Sequence, residues 1–362
     1  MNPSSLQFDP ASVKRVLIYR LGSLGDTVVA LPALHVIERA FPAAQRVMLT
    51  NVPVHAKAPA AWTVLEGSGL VHGYIRYPVG TRNLAELAGV WRRIRRFRPD
   101  VLVYLMPRRG KRGLQRDVRF FRLCGIRRFV GLPIGDLGEY WFDEKTGLWE
   151  QEAARLLRSV RSLGDADIND LRWWDLRLTE AERQKAQAVL QEVGDQPLVA
   201  CGPGTKMQAN DWGQDNWRAL LERLSAAMPD YALVLVGAAE DAATGDFAAT
   251  GWRGAVLNLC GQLAPRETAA VLRNAELFLG PDSGPKHLAA SQGVRCALVF
   301  GARNQPGKWF PPGSGHRVVY HKVDCAGCDL EVCIEKKKIC LTSITVDEMY
   351  AAAMAVWNQG QH

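Results

Sequence analysis

The feature that most constrains this fold is an alternation of short apolar runs with segments of helical periodicity, and the alternation begins twice. The first series has apolar runs at 13–19, 46–50 and 100–106. The second starts at Pro197 and has runs at 198–202, 231–237, 256–259, 276–280 and 295–300. Strands that alternate with helices form parallel sheets with right-handed crossovers. The sequence therefore predicts an α/β protein with two parallel-sheet domains, and 362 residues are enough for two cores.

The restart of the alternation also predicts the domain boundaries. We expect an N-terminal domain over 1–178, a C-terminal domain over 179–345 and a final helix within 346–362. Thr345 and Glu348 form a capping-box pattern at the start of that helix, an element that often packs back across a domain join. Pro32 is expected to kink the helix after the first strand. Two such halves facing a central cleft would place the carboxyl ends of both sheets on one ligand.

The charge of the chain is concentrated in one stretch. Lys and Arg number 45 against 37 Asp and Glu, and residues 92–128 alone hold fourteen basic residues against Asp100 and Asp117. Such a field attracts phosphates, anionic lipid or nucleic acid, although a pair of solvated helix faces has the same composition. Nucleic acid is disfavoured because aromatic residues are not interleaved and no nucleic-acid-binding motif is present. We expect an anionic small molecule or a membrane surface as the partner.

The sequence gives weaker indications of where the protein is located and of whether it binds a metal. No apolar run reaches the ~18 residues that span a bilayer, and the N-terminal segment has no apolar stretch typical of secretion signals. Eight Cys in a 40.0 kDa chain are too sparse for a disulfide framework, so we expect a cytoplasmic protein. Four thiolates suit zinc, but their irregular spacing and the lysines at 336–338 leave that open. The four cysteines are Cys325, Cys328, Cys333 and Cys340.

The first loop of chemical interest follows the first strand and has the sequence RLGSLGDT, residues 20–27. Its G-x-x-G is too short for the dinucleotide-binding fingerprint. Asp26 stands where the next helix begins, so it can cap that helix. At the carboxyl end of the first strand it can also take a proton from a hydroxyl group. One residue can do both.

Two further loops lie in the second series. Residues 201–213 contain Thr205 and Lys206 in a glycine-containing turn that suits phosphate oxygens, although a plain connecting loop has the same composition. Residues 280–290 lead into a helix whose N-terminus attracts anions, flanked by Lys286 and His287. Asp282 would repel phosphate, so we expect it to orient N–H groups or to accept a hydroxyl hydrogen bond. A histidine at a helix start is more often structural.

In this order, the loops resemble those of the ADP-heptose:lipopolysaccharide heptosyltransferase family. The specific segments are RLGSLGDTVVALPAL, DSGPKHLAASQGV followed by FGARNQPGKWFPPG, and the cysteine cluster before ITVDEM. The resemblance implies the GT-B arrangement, in which two Rossmann-like domains face a central cleft. The N-terminal domain would take the acceptor and the C-terminal domain the nucleotide sugar. It also implies inverting, metal-independent transfer of heptose from ADP-heptose to the inner core of lipopolysaccharide.

The resemblance assigns roles to individual residues. It implies that Asp26 is the general base, and it implies no resident metal or cofactor. Implied donor-binding residues are Gly204, Thr205, Lys206, Asn210, Glu240, Asp282, Ser283, Gly284 and His287. Implied acceptor-binding residues are Arg20, Gly22, Ser23 and Gly25.

One position departs from the family pattern and keeps alternatives open. Asn210 lies two residues before Trp212, where a basic residue is frequent. Lys206 can compensate, or the donor differs from ADP-heptose. One alternative is therefore the same fold with another donor or acceptor, and a second is a non-catalytic binding protein for anionic glycolipid or nucleotide. The basic stretch implies peripheral contact with the cytoplasmic face of an anionic inner membrane.

Overall fold

The computed structural model describes residues 8–51, 59–81, 83–107 and 110–360, so positions 108–109 of the basic stretch lie outside it. The chain divides into two compact units. The first comprises Met1–Phe142 and Glu152–Arg177, and the second comprises Asp143–Gln151 and Leu178–His362. The main division is one residue from the expected boundary after 178. The short segment Asp143–Gln151, expected in the N-terminal domain, belongs to the second unit.

The first unit is built on a five-stranded parallel sheet. Its strands are β1 (Arg15–Tyr19), β2 (Gln45–Asn51), β3 (Gly73–Tyr77), β4 (Val101–Tyr104) and β5 (Arg128–Val130). Their order is β3-β2-β1-β4-β5. The helices are α1 (Leu24–Val28), α2 (Leu31–Ala40), α3 (Trp62–Leu65), α4 (Leu84–Phe97), α5 (Gly110–Leu123) and α6 (Glu152–Val160). Its central strands are buried because helices cover both faces of a parallel sheet.

The segment after β1 is broken rather than kinked. The expectation of one helix bent at Pro32 is wrong, since α1 ends at Val28 and α2 begins at Leu31. Pro32 therefore lies in the first turn of a new helix, where a missing backbone N–H leaves no hydrogen bond unmade.

The second unit carries a larger sheet of the same kind. A short ribbon is formed by β6 (Phe142–Asp143) and β7 (Leu148–Trp149), of which all but Phe142 belongs to the second unit. The sheet strands are β8 (Leu198–Cys201), β9 (Ala232–Leu235), β10 (Val256–Asn258), β11 (Ala275–Pro281), β12 (Arg295–Phe300) and β13 (Arg317–Tyr320). They are parallel in the order β10-β9-β8-β11-β12-β13. Both sheets therefore have the Rossmann order, in which the third, second and first strands precede the fourth and fifth.

Seven helices of the described chain belong to the second unit. They are α7 (Glu180–Leu190), α8 (Gln214–Ala227), α9 (Ala242–Ala249), α10 (Pro265–Leu272), α11 (Gly284–Ser291), α12 (Ile339–Thr342) and α13 (Val346–Asn358). The last helix begins with the expected capping box of Thr345 and Glu348. Met349, Ala353 and Val356 join the core of the second unit, so α13 packs on that unit's own sheet.

Candidate functional site

The first candidate site lies at the carboxyl edge of the first sheet, where the loops after β1 and β4 adjoin. The strand order reverses between these two strands, and α/β sheets bind ligands at such a reversal. Arg20 joins the loops. Its Nη1 donates to the carbonyl oxygen of Leu105 at 2.9 Å, and its Nη2 and Nε donate to that of Asp26 at 3.0 and 3.3 Å.

Asp26 does not cap α1 as expected, because Ser23 is the N-cap residue and Asp26 is the third residue of the helix. Its Oδ2 accepts hydrogen bonds from the backbone N–H of Ser23 at 2.8 Å and from the Ser23 hydroxyl at 3.0 Å. Gly22, at φ +147°, leaves the space for this side chain, because a Cβ there would lie 2.3 Å from the Cβ of Asp26. The Asp26 side chain remains 31% exposed. Asp26 therefore binds the backbone of the N-cap residue and still presents a solvent-reachable carboxylate.

Arg20 itself lies in the interior of the first unit. Its side chain is only 3% exposed, and its Nη1 lies 2.8 Å from Oε1 of the buried Glu152. Its Nη2 is 3.6 Å from Oδ1 of Asp26. The placement suits a residue that positions Asp26, because a buried guanidinium has little surface to offer an acceptor sugar.

Glu152 is the centre of a buried charge network. Arg155 Nε donates to its Oε2 at 2.6 Å, and the Tyr140 hydroxyl donates to the same oxygen at 2.6 Å. Burial alone would raise the pKa of Glu152, but the hydrogen bond from Arg155 and the charges of Arg20 and Arg155 outweigh it and lower the pKa to about 2. Glu152 is therefore a fixed negative charge that holds Arg20 beneath Asp26.

The other expected acceptor residues line the same loop. The backbone N–H of Gly22 donates to Oδ1 of Asn51, at the end of β2, at 2.8 Å. Gly22 and Ser23 are partly exposed, whereas Gly25 is buried inside α1. An acceptor at this edge would thus meet Gly22, Ser23 and Asp26 first.

The second candidate site lies at the equivalent edge of the second sheet, between the loops after β8 and β11. Asn210 connects them, because its Nδ2 donates to the carbonyl oxygen of Asp282 at 3.0 Å. The Asn210 side chain is buried, and its Oδ1 has no hydrogen-bond partner among the described residues. The residue that departs from the family pattern therefore forms the link between two of the three predicted loops.

A third loop, after β9, joins this site through Asp241. A Cβ on Gly204 would lie 2.2 Å from the carboxyl carbon of Asp241, so the turn after β8 fits only without a side chain. The Oδ2 of Asp241 accepts the backbone N–H of Ala238 at 2.8 Å. The adjacent Glu240, expected near the donor, is exposed. Asp241 was not predicted from the sequence, because Ala238 has no side-chain oxygen and the pair therefore lacks the Ser or Thr of a capping box.

Two further expected donor residues stand in the turn after Gly204. Thr205 is partly exposed, and its hydroxyl oxygen accepts the backbone N–H of Met207 at 3.3 Å. Lys206 is exposed. Both side chains therefore lie on the surface of the turn, where an anionic ligand can reach them.

The start of α11 provides an anion-binding element. Ser283 is the N-cap residue and Gly284 the first helical residue, so backbone N–H groups point out of the helix here. The hydroxyl oxygen of Ser283 is buried and has no hydrogen-bond partner in the described part of the chain. These groups together can bind phosphate oxygens.

Lys286 does not flank this helix start as a free charge. It is completely buried, and its Nζ lies 3.0 Å from Oδ1 of Asp282. The ammonium also donates to the carbonyl oxygen of Trp309 and lies 4.5 Å from the centre of the Phe300 ring. The positive charge therefore neutralises Asp282, which lets a carboxylate lie beside a helix N-terminus that is suited to anions.

His287 is uncharged in this environment. It is buried against the edge of Trp309, with 6.1 Å between the ring centres. Burial and the positive charge of Lys286 lower the pKa of His287 well below 6.5. At neutral pH it can therefore donate or accept a hydrogen bond but contributes no positive charge.

The cysteine cluster after β13 contains free thiols, of which Cys328 is exposed. Burial raises the pKa of Cys340, and the nearby Cys325, Cys333 and Cys328 raise it further. Across the described residues, no group of three or more His, Cys, Asp or Glu side chains has an arrangement that would hold a metal ion.

Comparison with known proteins identifies the family. The model of glycosyltransferase family 9 (heptosyltransferase) matches residues 152–339, which is more than half of the chain. The chain belongs to glycosyltransferase family 9. A comparison with curated protein sequences gives no match. Family membership agrees with the resemblance in the loops and makes the protein a glycosyltransferase.

Solved structures of a family 9 glycosyltransferase and of two heptosyltransferases share this fold. A family 9 glycosyltransferase from Veillonella parvula superposes with a TM-score of 0.72 at 18% identity, covering 98% of this chain and 99% of its own. The Escherichia coli ADP-heptose lipopolysaccharide heptosyltransferase II gives 0.67 at 17% identity, covering 96% and 100%. E. coli heptosyltransferase WaaC with ADP-2-deoxy-2-fluoro heptose gives 0.59 at 16%, covering 93% and 98%. The predicted GT-B class, with two Rossmann-like units, is confirmed.

Proposed function

We propose that this family 9 glycosyltransferase transfers heptose from ADP-heptose to an inner-core lipopolysaccharide acceptor with inversion at the anomeric carbon. The observation that carries the proposal is Asp26, a partly exposed carboxylate at the strand-order reversal of the first sheet, held by Ser23 and Arg20. Family membership supports the transferase chemistry. The solved relative with an ADP-heptose analogue supports the donor.

The proposed reaction is a single displacement. The acceptor oxygen forms a bond to C1 of the heptose, the bond from C1 to the diphosphate oxygen breaks, and ADP leaves with the electron pair. Asp26 takes the proton of the acceptor hydroxyl. One displacement inverts the configuration at C1.

Stabilisation of the leaving group falls to the second unit. The backbone N–H groups at the start of α11, the Ser283 hydroxyl and the turn with Thr205 and Lys206 would bind the diphosphate as its negative charge grows. His287 would donate a hydrogen bond as a neutral side chain. Because these donors supply the electrostatic stabilisation, we propose that the reaction needs no metal ion.

The test is turnover of ADP-heptose with a lipid-free inner-core oligosaccharide, with the product analysed by mass spectrometry and NMR. Asp26→Asn should lower kcat by roughly 10² to 10⁴-fold, the range for loss of a general base, with binding of ADP-heptose unchanged. Asp195→Asn is the matched control, because it makes the same acid-to-amide change at an exposed position of the second unit and should leave kcat unchanged. Retained turnover in Asp26→Asn would refute the assignment of the base.

Asn210 favours a second candidate function, the same transfer from a different nucleotide sugar. A neutral amide at this position offers a diphosphate less attraction than a basic residue. Turnover measured in parallel with ADP-heptose, other ADP-sugars, and UDP- and GDP-sugars decides between the donors. Tight nucleotide binding without turnover of any donor would support a non-catalytic binding protein instead.

An inner-core acceptor is anchored in a membrane by its lipid. In the described parts of the chain, no helix combines the length and apolar character needed to cross a bilayer. We therefore propose that the protein works as a peripheral protein at the cytoplasmic face of the inner membrane.

A further inference from the structure

Helices α4 and α5 share one side of the first sheet and expose an unusual surface. Their inner residues Val90, Ile94 and Phe121 join the same core cluster. Their outer surface exposes large apolar side chains, with Leu84 at 80% and Leu123 at 70%. Scattered apolar residues are normal on protein surfaces, but Leu123 lines one groove together with three arginines of α5. We call this surface the α4–α5 face, and its central residues are Trp91, Arg95, Arg112, Arg116, Arg119 and Leu123.

The two helices form one continuous surface. The indole Nε1 of Trp91 on α4 donates to the carbonyl oxygen of Leu123 at the end of α5, at 3.1 Å. The Arg95 guanidinium lies 5.4 Å from the centre of the Trp91 ring. Arg112, Arg116, Arg119 and Leu123 follow one face of α5, since they are separated by three or four residues. They line an open groove of about 410 Å³ together with Gln115 and Phe120.

Acidic side chains do little to offset this charge. The two helices contain nine Arg and Lys residues against two acids, Glu86 and Asp117. Asp117 is buried, where it accepts hydrogen bonds from Tyr104 at 2.9 Å and from Arg116 at 3.0 Å. The Glu86 carboxylate accepts the hydroxyl of Thr81. The outward field of the α4–α5 face is therefore strongly positive.

We infer that the α4–α5 face docks the protein on an anionic lipid bilayer. Arginines bind lipid phosphates while leucine and tryptophan enter the headgroup region, where aromatic rings are favoured. The exposed leucines favour a lipid bilayer over nucleic acid as the ligand of this face, because aliphatic side chains make no favourable contact with a phosphate backbone. The inference extends the proposed function by naming the surface that meets the membrane.

The test is co-sedimentation of the full chain with vesicles of phosphatidylcholine containing about 30% phosphatidylglycerol, at two salt concentrations. Wild type should bind these vesicles, bind neutral vesicles weakly and lose affinity at high salt. Each arginine near an anionic surface contributes about 1 kcal/mol, or about fivefold, so Arg112→Gln with Arg119→Gln should weaken binding roughly 30-fold. Leu123→Ser should weaken it roughly tenfold. Arg116 is left intact because it pairs with the buried Asp117.

The matched control replaces two exposed arginines of the second unit, Arg253→Gln with Arg273→Gln. This pair has the same change in net charge and should leave vesicle binding within about twofold of wild type. The inference would be overturned if both arginine pairs lost vesicle affinity equally, or if Leu123→Ser bound the vesicles as wild type does. It would also be overturned if wild type bound a single-stranded oligonucleotide but not the vesicles. The assay uses neither donor nor acceptor, so its outcome is independent of whether heptose transfer is found.

Discussion

Glu152 offers a sharp test of the buried network beneath Asp26. Its pKa is about 2 in the folded chain against an ordinary value of 4.5, a difference of about 2.5 units. At 1.36 kcal/mol per unit this corresponds to about 3 kcal/mol of stability. Glu152→Gln also leaves the buried Arg20 and Arg155 without their counter-charge, a change that typically costs 3–5 kcal/mol. We expect the free energy of unfolding at pH 7 to fall by about 3–5 kcal/mol.

The stability lost in Glu152→Gln should depend on pH in a characteristic way. Because folding lowers the pKa of Glu152, its contribution to the free energy of unfolding is complete above pH 4.5. The contribution is lost as the pH falls from 4.5 towards 2. The difference in free energy of unfolding between wild type and Glu152→Gln should therefore become smaller between pH 4.5 and pH 2.

Urea unfolding at several pH values measures the difference. Faster hydrogen–deuterium exchange in peptides from β1 and β4 would show that the stability is lost in the first unit. Glu144→Gln, an exposed position with the same charge change, serves as control. A loss below about 1 kcal/mol at pH 7, or a difference that stays constant from pH 6 to pH 3, would refute the reasoning.

Three further predictions concern the proposed donor site. Gly204→Ala should destabilise the protein by about 1–3 kcal/mol and weaken ADP binding in calorimetry, since its Cβ would lie 2.2 Å from the carboxyl carbon of Asp241; unchanged ADP affinity would contradict this. Lys286→Met should lower the free energy of unfolding by about 3–5 kcal/mol and raise the KM for the donor, because Asp282 loses its buried partner; a normal melting temperature would argue against that role. Removal of divalent ions with EDTA should change turnover by less than about twofold, whereas activity that falls and returns with added Mg²⁺ or Mn²⁺ would refute metal independence.

The sequence predicts the central strands well, but of the four edge strands of the two sheets it predicts only β10. Central parallel strands are buried on both faces and are therefore uninterrupted apolar runs, as in β12, whose predicted and observed bounds agree. Edge strands carry polar residues on their exposed side. For this reason β3, with the sequence GYIRY, was not predicted. The edge strands β5 and β13 were also missed, because they have only three and four residues and are only partly buried.

Residues of the candidate sites could be predicted where the sequence of a single loop indicates their position. Asp26 and Asp282 each follow an apolar strand. Asn210 was singled out only by the family resemblance, and the structure joins it to Asp282. The partners of Arg20 were not predictable, because Glu152 is separated from it by 132 positions and nothing in the intervening sequence pairs them. A buried ion pair depends on the complete fold, whereas a capping residue depends on three or four neighbours.

The order of the two units along the polypeptide has a consequence for biosynthesis. The first unit is completed by Glu152–Arg177, after the chain has already supplied Asp143–Gln151 to the second. The side chain of Gln151 donates to the carbonyl oxygen of Pro311, 160 positions later, so that segment waits for its partners until most of the protein has left the ribosome. A gene split at the main boundary therefore encodes a complete first unit and an incomplete second unit. One carries nine surplus residues, and the other lacks them.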